Sequence, residues 1–100
     1  FLERLRRSKF DSLAGDAVVS FALYGSHASG EYDEKSDVDL LVVGKREQVR
    51  FDLLEPLEKK LGREVQLAVF PLAKWEKNKR GDPFMLSVLR NHVLLKGMPL

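Results

Sequence analysis

The sequence predicts one α+β domain in which helices pack on a mixed β-sheet. One hundred residues are enough to bury a single core and too few for two independent ones. Apolar runs rich in β-branched and aromatic residues alternate along the chain with segments in which leucines recur at helical spacing. Only a short polar loop joins the first two apolar runs, so their strands are expected to be antiparallel and the sheet mixed.

Four strands are predicted from these apolar runs. Gly25 and Gly44 stop the first two, because glycine weakens a strand and favours a turn. The third run alternates, which places Glu64 and Gln66 together on the face opposite its valines and leucine. The predicted strands cover residues 17–24, 37–43, 64–70 and 92–96.

Helical spacing first predicts an amphipathic helix over residues 1–14 that ends at Gly15. We expect a single domain over residues 1–100, with this first helix as the end of a linker from an upstream segment. A second helix is predicted over residues 47–61, where Pro56 is expected to kink or split it.

Two shorter helices are predicted in the last third of the chain, over residues 71–79 and 84–91. In the first of them Trp75 lies among charged residues, and a lone aromatic in such a helix is expected to pack inward. The second is densely apolar, so we expect it to be buried, with a contact between copies of the chain as the alternative.

The composition excludes several classes of protein. The absence of cysteine excludes disulfides and thiolate metal sites, and it fits the reducing cytoplasm, where we expect the protein to act. No apolar run approaches the roughly 20 residues that span a bilayer, so no membrane interaction is predicted. A net charge of +2 does not favour nucleic acid as a partner, and the basic clusters are interpreted as solvated helix faces.

Two acidic residues interrupt the start of the second strand. Asp37 and Asp39 are two residues apart, so their carboxylates are expected to leave the same face, opposite Val38. Carboxylates about 5 Å apart repel by roughly 1 kcal/mol in water and about 3 kcal/mol at an effective dielectric constant of 20. A cation between them relieves this repulsion, and hard oxygen ligands select Mg²⁺ or Mn²⁺.

The end of the first strand supplies a complementary feature. Gly25 allows the backbone to approach a ligand closely, and Ser26 can begin a short helical turn whose free amides would bind an anion. The sequence therefore predicts a phosphate-binding loop that leads, ten residues later, into a pair of metal ligands. Such a site suits a complex of a metal ion with a nucleoside triphosphate.

The spacing of these residues resembles a known signature. Gly25 and Ser26, ten intervening residues, and then Asp37, Val38 and Asp39 are similar to the Gly-Ser and Asp-x-Asp motif of polymerase-β-type nucleotidyltransferases. The length and the order of elements resemble the minimal nucleotidyltransferase group, which is a bare catalytic domain. The resemblance implies a polymerase-β-like fold and transfer of a nucleoside monophosphate from a nucleoside triphosphate, with ATP expected, to a hydroxyl group of a protein or other acceptor.

The resemblance also implies roles for individual residues. Asp37 and Asp39 would be catalytic metal ligands for Mg²⁺ or Mn²⁺. The triphosphate would be bound by the residues of the loop, which are Gly25, Ser26, His27 and Ser36. In the minimal group the partner is often a separate helical protein, in some cases the toxin half of a toxin-antitoxin pair, whose tyrosine receives AMP. The resemblance therefore implies a helical protein partner as well as the nucleotide.

The sequence departs from the family pattern at two positions. Members of the family usually carry a third carboxylate on the next core strand, where this chain has Gln66, a neutral side chain that cannot act as a general base. Glu64 has the same face parity and is the candidate replacement. Ser29 stands where an arginine is common, and Lys35 or His27 could compensate for that missing charge.

Two other functions are open. Because of Gln66, the chain could be a catalytically weakened module that binds a nucleotide or a partner, such as the antitoxin-like half of a two-protein system. It could also be the C-terminal domain of a DNA-binding regulator, which the basic first segment would fit. His92, at the start of the last predicted strand, is interpreted as a structural residue.

Overall fold

The computed structural model describes residues 13–15, 17–25 and 37–100. Within these residues the chain forms a four-stranded sheet and three α-helices, with two short 3₁₀ turns, Arg46–Gln48 and Phe51–Leu53, before the first helix. In chain order the elements are β1 (Ser20–Tyr24), β2 (Val38–Val43), α1 (Leu54–Leu61), β3 (Val65–Phe70), α2 (Leu72–Asn78), α3 (Pro83–Arg90) and β4 (His92–Gly97).

The sheet is mixed, as predicted. Its strand order is β3-β2-β1-β4. The central strand β1 is antiparallel to both of its neighbours, β2 and β4. Strand β3 is parallel to β2, because the connection through α1 returns the chain to the same end of the sheet. The predicted α+β architecture is therefore confirmed.

Helices cover both faces of this sheet. Helix α1 packs on one face, where Leu57 and Leu61 join the inward residues of the strands, among them Phe21 and Leu40. Helices α2 and α3 pack on the other face, against Leu41 and Val43, and contribute the buried side chains Trp75, Met85 and Val88. The prediction that Trp75 packs inward is confirmed, since only 1% of its surface is exposed.

Helix α3 is less buried than its sequence predicts. Met85 and Val88 are buried, but Phe84 in the first turn is 40% exposed. The helix begins cleanly because Pro83 occupies its first turn and the Asp82 carboxylate accepts a hydrogen bond of 3.1 Å from the backbone N–H of Met85.

The helix predicted over residues 47–61 is shorter than expected. Pro56 lies in the first turn of α1, where a residue without a backbone N–H breaks no helical hydrogen bond. The preceding residues form the two 3₁₀ turns, and between them Val49 is buried and makes a β-bridge with Ala14. Gly62 ends α1 with a left-handed φ of 68°, a conformation that glycine commonly supplies at the end of a helix.

The prediction of a helix that continues to Gly15 is wrong for its last two residues. The carbonyl of Leu13 accepts a 2.7 Å hydrogen bond from Arg50 N–H, and Gly15 N–H donates one of 3.0 Å to Gln48. These bonds form a short strand-like pairing that competes with helical geometry. Residues 1–12 of the predicted helix, and the helical turn predicted at Ser26, lie outside the described residues.

The last residues of the chain are joined to β1. Met98 N–H donates a 2.8 Å hydrogen bond to the carbonyl of Val19, and the buried Ser20 hydroxyl donates one of 2.5 Å to the carbonyl of Met98. Among the helices of the described residues, none combines the length and apolar character needed to cross a membrane.

Candidate functional site

A row of four polar or aromatic residues crosses the sheet at one end. In the register of the strands, Gln66 of β3 lies beside Asp39 of β2, Asp39 lies opposite Tyr24 of β1, and Tyr24 lies opposite His92 of β4. Asp39 and Leu41 are two residues apart on one strand, so both belong to the face that α2 and α3 cover. The apolar residues of this face thus give way to polar ones at its end.

The two aspartates stand at the start of β2. Asp39 is its second residue, and Asp37 lies just before the strand, where the next residue, Val38, donates a 2.8 Å hydrogen bond to the carbonyl of Glu64. Both aspartates are partly buried. Because Asp37 lies two residues before Asp39, strand alternation predicts that its side chain shares the face of Asp39.

Gly25 follows β1 and packs directly against Asp39. Its φ is 73°, in the left-handed region that residues other than glycine rarely adopt. A Cβ atom added at Gly25 would overlap Asp39 Oδ2 and lie 3.2 Å from Asp39 Cγ. The absence of a side chain at Gly25 is therefore what lets this backbone and this carboxylate meet, and the two halves of the sequence motif are in contact.

Tyr24 stands between the site and an aromatic cluster. Its ring contacts Phe84 edge to face, with the centroids 5.4 Å apart and an angle of 89° between the planes. Burial, and then the negative charge of Asp39, raise the pKa of the Tyr24 hydroxyl. The hydroxyl therefore stays protonated at neutral pH and adds no charge next to the aspartates.

Gln66 occupies the position beside Asp39 where a third carboxylate was expected. Its side chain is exposed on the edge strand β3. The parallel pairing of β2 with β3 keeps a regular register through this position. Within residues 13–15, 17–25 and 37–100, no three acidic, histidine or cysteine side chains form a group that could hold a metal ion. Glu64 therefore does not complete such a group with the two aspartates, although its backbone carbonyl accepts a hydrogen bond from Val38, the residue between them.

The remaining predicted site residues fall into two groups. Ser26, His27 and Ser36 lie outside the described residues. His92 is in the row, and its Nδ1 atom lies 2.9 Å from the carbonyl of Val88, which ties β4 to the end of α3. This contact agrees with the structural role predicted for it.

Sequence reasoning did not assign a role to Tyr24 or to Phe84. The position of Tyr24 immediately before Gly25 was a signal, because a residue next to a ligand-binding turn lies close to whatever the turn binds. Phe84 carried no such signal, since it is sixty residues away from Tyr24 in the chain and meets it only through the packing of α3 on the sheet.

Comparisons with known proteins bear on the family and the fold of this chain. The family model of the nucleotidyltransferase domain matches residues 4–92. No significant match was found among curated proteins. One similar solved structure, a crystal structure of a toxin-antitoxin with AMP-PNP, has 20% identity and a TM-score of 0.58, covering 96% of this chain and 73% of that chain.

A second solved structure has a similar relation to this chain. It is a crystal structure of a mutant of the toxin-antitoxin MntA-HpeT, with 20% identity, a TM-score of 0.50, and coverage of 97% of this chain and 70% of that chain. At this level of identity the two likenesses bear on the fold. They confirm the predicted fold class.

Proposed function

The chain belongs to the nucleotidyltransferase domain family, as its motif predicts, and we propose that it transfers AMP from ATP to a hydroxyl group of a protein acceptor. A divalent cation, Mg²⁺ or Mn²⁺, is the proposed cofactor. The observation that carries the proposal is the contact between Gly25 and the Asp39 carboxylate, which joins a close-approach turn to an acidic pair at one end of the sheet.

The donor set fits a magnesium-like cation. Asp37 and Asp39 offer only hard carboxylate oxygens, and two protein ligands leave coordination positions for water and for phosphate oxygens. A bound cation of this kind would neutralise charge on the triphosphate and polarise the reacting phosphoryl group. The missing side chain at Gly25 lets the backbone of this turn pack against the Asp39 carboxylate, so a cation bound by Asp39 would lie beside the turn.

The proposed reaction is an in-line displacement at the α-phosphorus. A bond forms between the acceptor oxygen and the α-phosphorus, the bond to the oxygen that bridges to the β-phosphorus breaks, and pyrophosphate leaves with that electron pair. The hydroxyl proton of the acceptor must be removed. Gln66 cannot accept it, so the proton goes to water or to a carboxylate, and we expect transfer to be slow.

The similarity to toxin-antitoxin structures supports a protein as the acceptor. One of those structures contains AMP-PNP, an analogue of ATP, which supports ATP as the donor. We propose that the partner of this chain is a helical protein whose hydroxyl group receives the AMP.

The test is transfer of label from α-labelled ATP to candidate partner proteins in the presence of Mg²⁺ or Mn²⁺. The wild type should label its acceptor, and Asp37→Asn/Asp39→Asn should abolish labelling, because neutral amides bind the cation weakly. Gln66→Glu should increase the rate, since it adds a carboxylate beside Asp39. Labelling that persists without a divalent cation, or in the double variant, would contradict the proposed chemistry.

One observation favours a second function, which is binding without efficient transfer. Gln66 lies in register beside Asp39, in the position of the missing acid, so the site can hold a cation and a nucleotide while lacking a base. For such a module, ATP should bind in a metal-dependent manner, no partner should be labelled, and Gln66→Glu should not restore labelling.

A further inference from the structure

Phe84 is an exposed aromatic ring next to the candidate site. It lies in the first turn of α3 and meets Tyr24, whose strand position is directly opposite Asp39. Phe70 stands behind it, with ring centroids 6.1 Å apart. These three rings, Tyr24, Phe70 and Phe84, form what we call the aromatic platform. The platform continues from the acidic end of the sheet along the face that α2 and α3 cover.

Within the platform, Phe84 presents the most open ring. Tyr24 and Phe70 are partly buried, and Lys74 Nζ lies 5.7 Å from the centroid of the Phe70 ring. Phe84 is 40% exposed, while Met85 and Val88 on the same helix fill the core. Phe84 therefore covers Tyr24 and Phe70 with part of its ring and presents the rest of the ring to solvent.

The ring is also held in a fixed place. Pro83 sets the backbone at the start of α3, and the Asp82 cap anchors the first turn through Met85 N–H. Contacts with two other rings restrict its rotation. A rigid aromatic surface loses little conformational freedom when a ligand covers it, which favours stacking of a flat ring on it.

We propose that Phe84 stacks against the nucleobase of the nucleoside triphosphate. This inference rests on the proposed function, which puts the phosphates at Gly25 and the aspartates. The base must then lie at some distance from the phosphates, beyond the ribose, and the platform extends away from Asp39 through Tyr24 to Phe84. Aromatic side chains stack on every base, so the contact favours purines through their larger ring area and discriminates weakly between ATP and GTP.

The test compares two ligands that differ by the nucleoside. The affinities of ATP and of inorganic tripolyphosphate, each with Mg²⁺, are measured by calorimetry for the wild type and for Phe84→Ala. Loss of a stacking ring should weaken ATP about tenfold, which is about 1.4 kcal/mol, and leave tripolyphosphate unchanged. Phe84→Trp should bind ATP at least as tightly as the wild type does.

Phe51 provides a matched control. It is also a phenylalanine with 40% exposure, and it precedes α1, which packs on the opposite face of the sheet. Phe51→Ala should change neither affinity. Phe84→Leu keeps an apolar side chain at the position without a planar ring and should resemble Phe84→Ala, which separates stacking from a loss of helix packing.

Each other outcome overturns the inference in a recognisable way. If Phe84→Ala binds ATP as the wild type does, or weakens both ligands equally, the nucleobase does not stack on Phe84. If Phe84→Ala loses only labelling of a partner protein, the ring contacts the acceptor instead of the donor. If the wild type binds neither ATP nor tripolyphosphate, the proposed function fails together with the inference.

Discussion

Replacement of Gly25 by alanine tests the link between the fold and the candidate site. Two separate effects are expected to lower the free energy of unfolding. The first arises from the φ of 73°, which an L-residue with a Cβ atom adopts only at a cost. The second arises because the new methyl group would overlap Asp39 Oδ2, so the carboxylate must move from its position beside Gly25.

The magnitudes of the two penalties can be separated. The left-handed backbone costs about 1–2 kcal/mol for a residue other than glycine. Displacing the Asp39 carboxylate from its preferred rotamer adds about 0.5–1.5 kcal/mol. The sum, about 1.5–3.5 kcal/mol, corresponds in a chain of this size to a fall in the unfolding midpoint temperature on the order of 10 °C.

A double-mutant cycle isolates the steric part. In an Asp39→Ala background the carboxylate is gone, so Gly25→Ala should cost only the backbone part, about 1–2 kcal/mol. Gly25→Asn tolerates the left-handed backbone but keeps the Cβ overlap with Asp39. The overlap should therefore account for a larger share of its loss of stability than in Gly25→Ala. Gly62→Ala, at a φ of 68° at the end of α1, is the control for backbone strain and should be insensitive to Asp39→Ala.

The assay is equilibrium unfolding in urea, followed by tryptophan fluorescence. Trp75 is the one tryptophan of the sequence and is buried between the sheet and α2, so its emission reports on unfolding of the face that carries the site. Equal free energies of unfolding for wild type and Gly25→Ala would refute the argument. An identical penalty in the presence and absence of Asp39 would refute its steric part.

Three further predictions concern stability. Ser20→Ala should lower the free energy of unfolding by about 1 kcal/mol in thermal melts, because the carbonyl of Met98 loses its donor. Asp82→Ala should cost about 1 kcal/mol through loss of the α3 cap, and Asp82→Asn should cost much less; equal costs would contradict the capping role. The raised pKa of Tyr24 means that the unfolded chain ionises first as the pH rises, from about pH 10. The free energy of unfolding of the metal-free protein should therefore fall with pH in that range, and a urea-unfolding series should show a smaller fall for Tyr24→Phe.

Most strands and helices could be predicted from the sequence. The predicted helices over residues 47–61 and 1–14 were partly wrong, each for a physical reason. Pro56 already indicated that the α-helix starts close to residue 54, because proline is tolerated in a first turn and not in a helix interior. The bridge between Ala14 and Val49 could not be predicted, since it depends on hydrogen bonds between segments more than thirty residues apart. Local spacing contains no information about such pairings.

Some features of the candidate site could be predicted from the sequence, and others could not. That Asp37 and Asp39 share a face is a prediction from their two-residue spacing, although β2 itself begins at Val38. That Gln66 lies beside Asp39, and Tyr24 opposite it, depends on the register between strands, which the sequence of each strand leaves open. The contact of Phe84 with Tyr24 depends on how α3 packs on the sheet and was the least accessible to sequence reasoning.

The position of Gln66 has an evolutionary consequence. Glutamine codons become glutamate codons by a change of one base, and the backbone of β3 already holds this residue level with Asp39. A lineage that carries this chain is thus a single point mutation away from a third carboxylate, with no rearrangement of the strand required. Selection could add or remove an acidic residue beside Asp39 at this one codon while the rest of the protein stays the same.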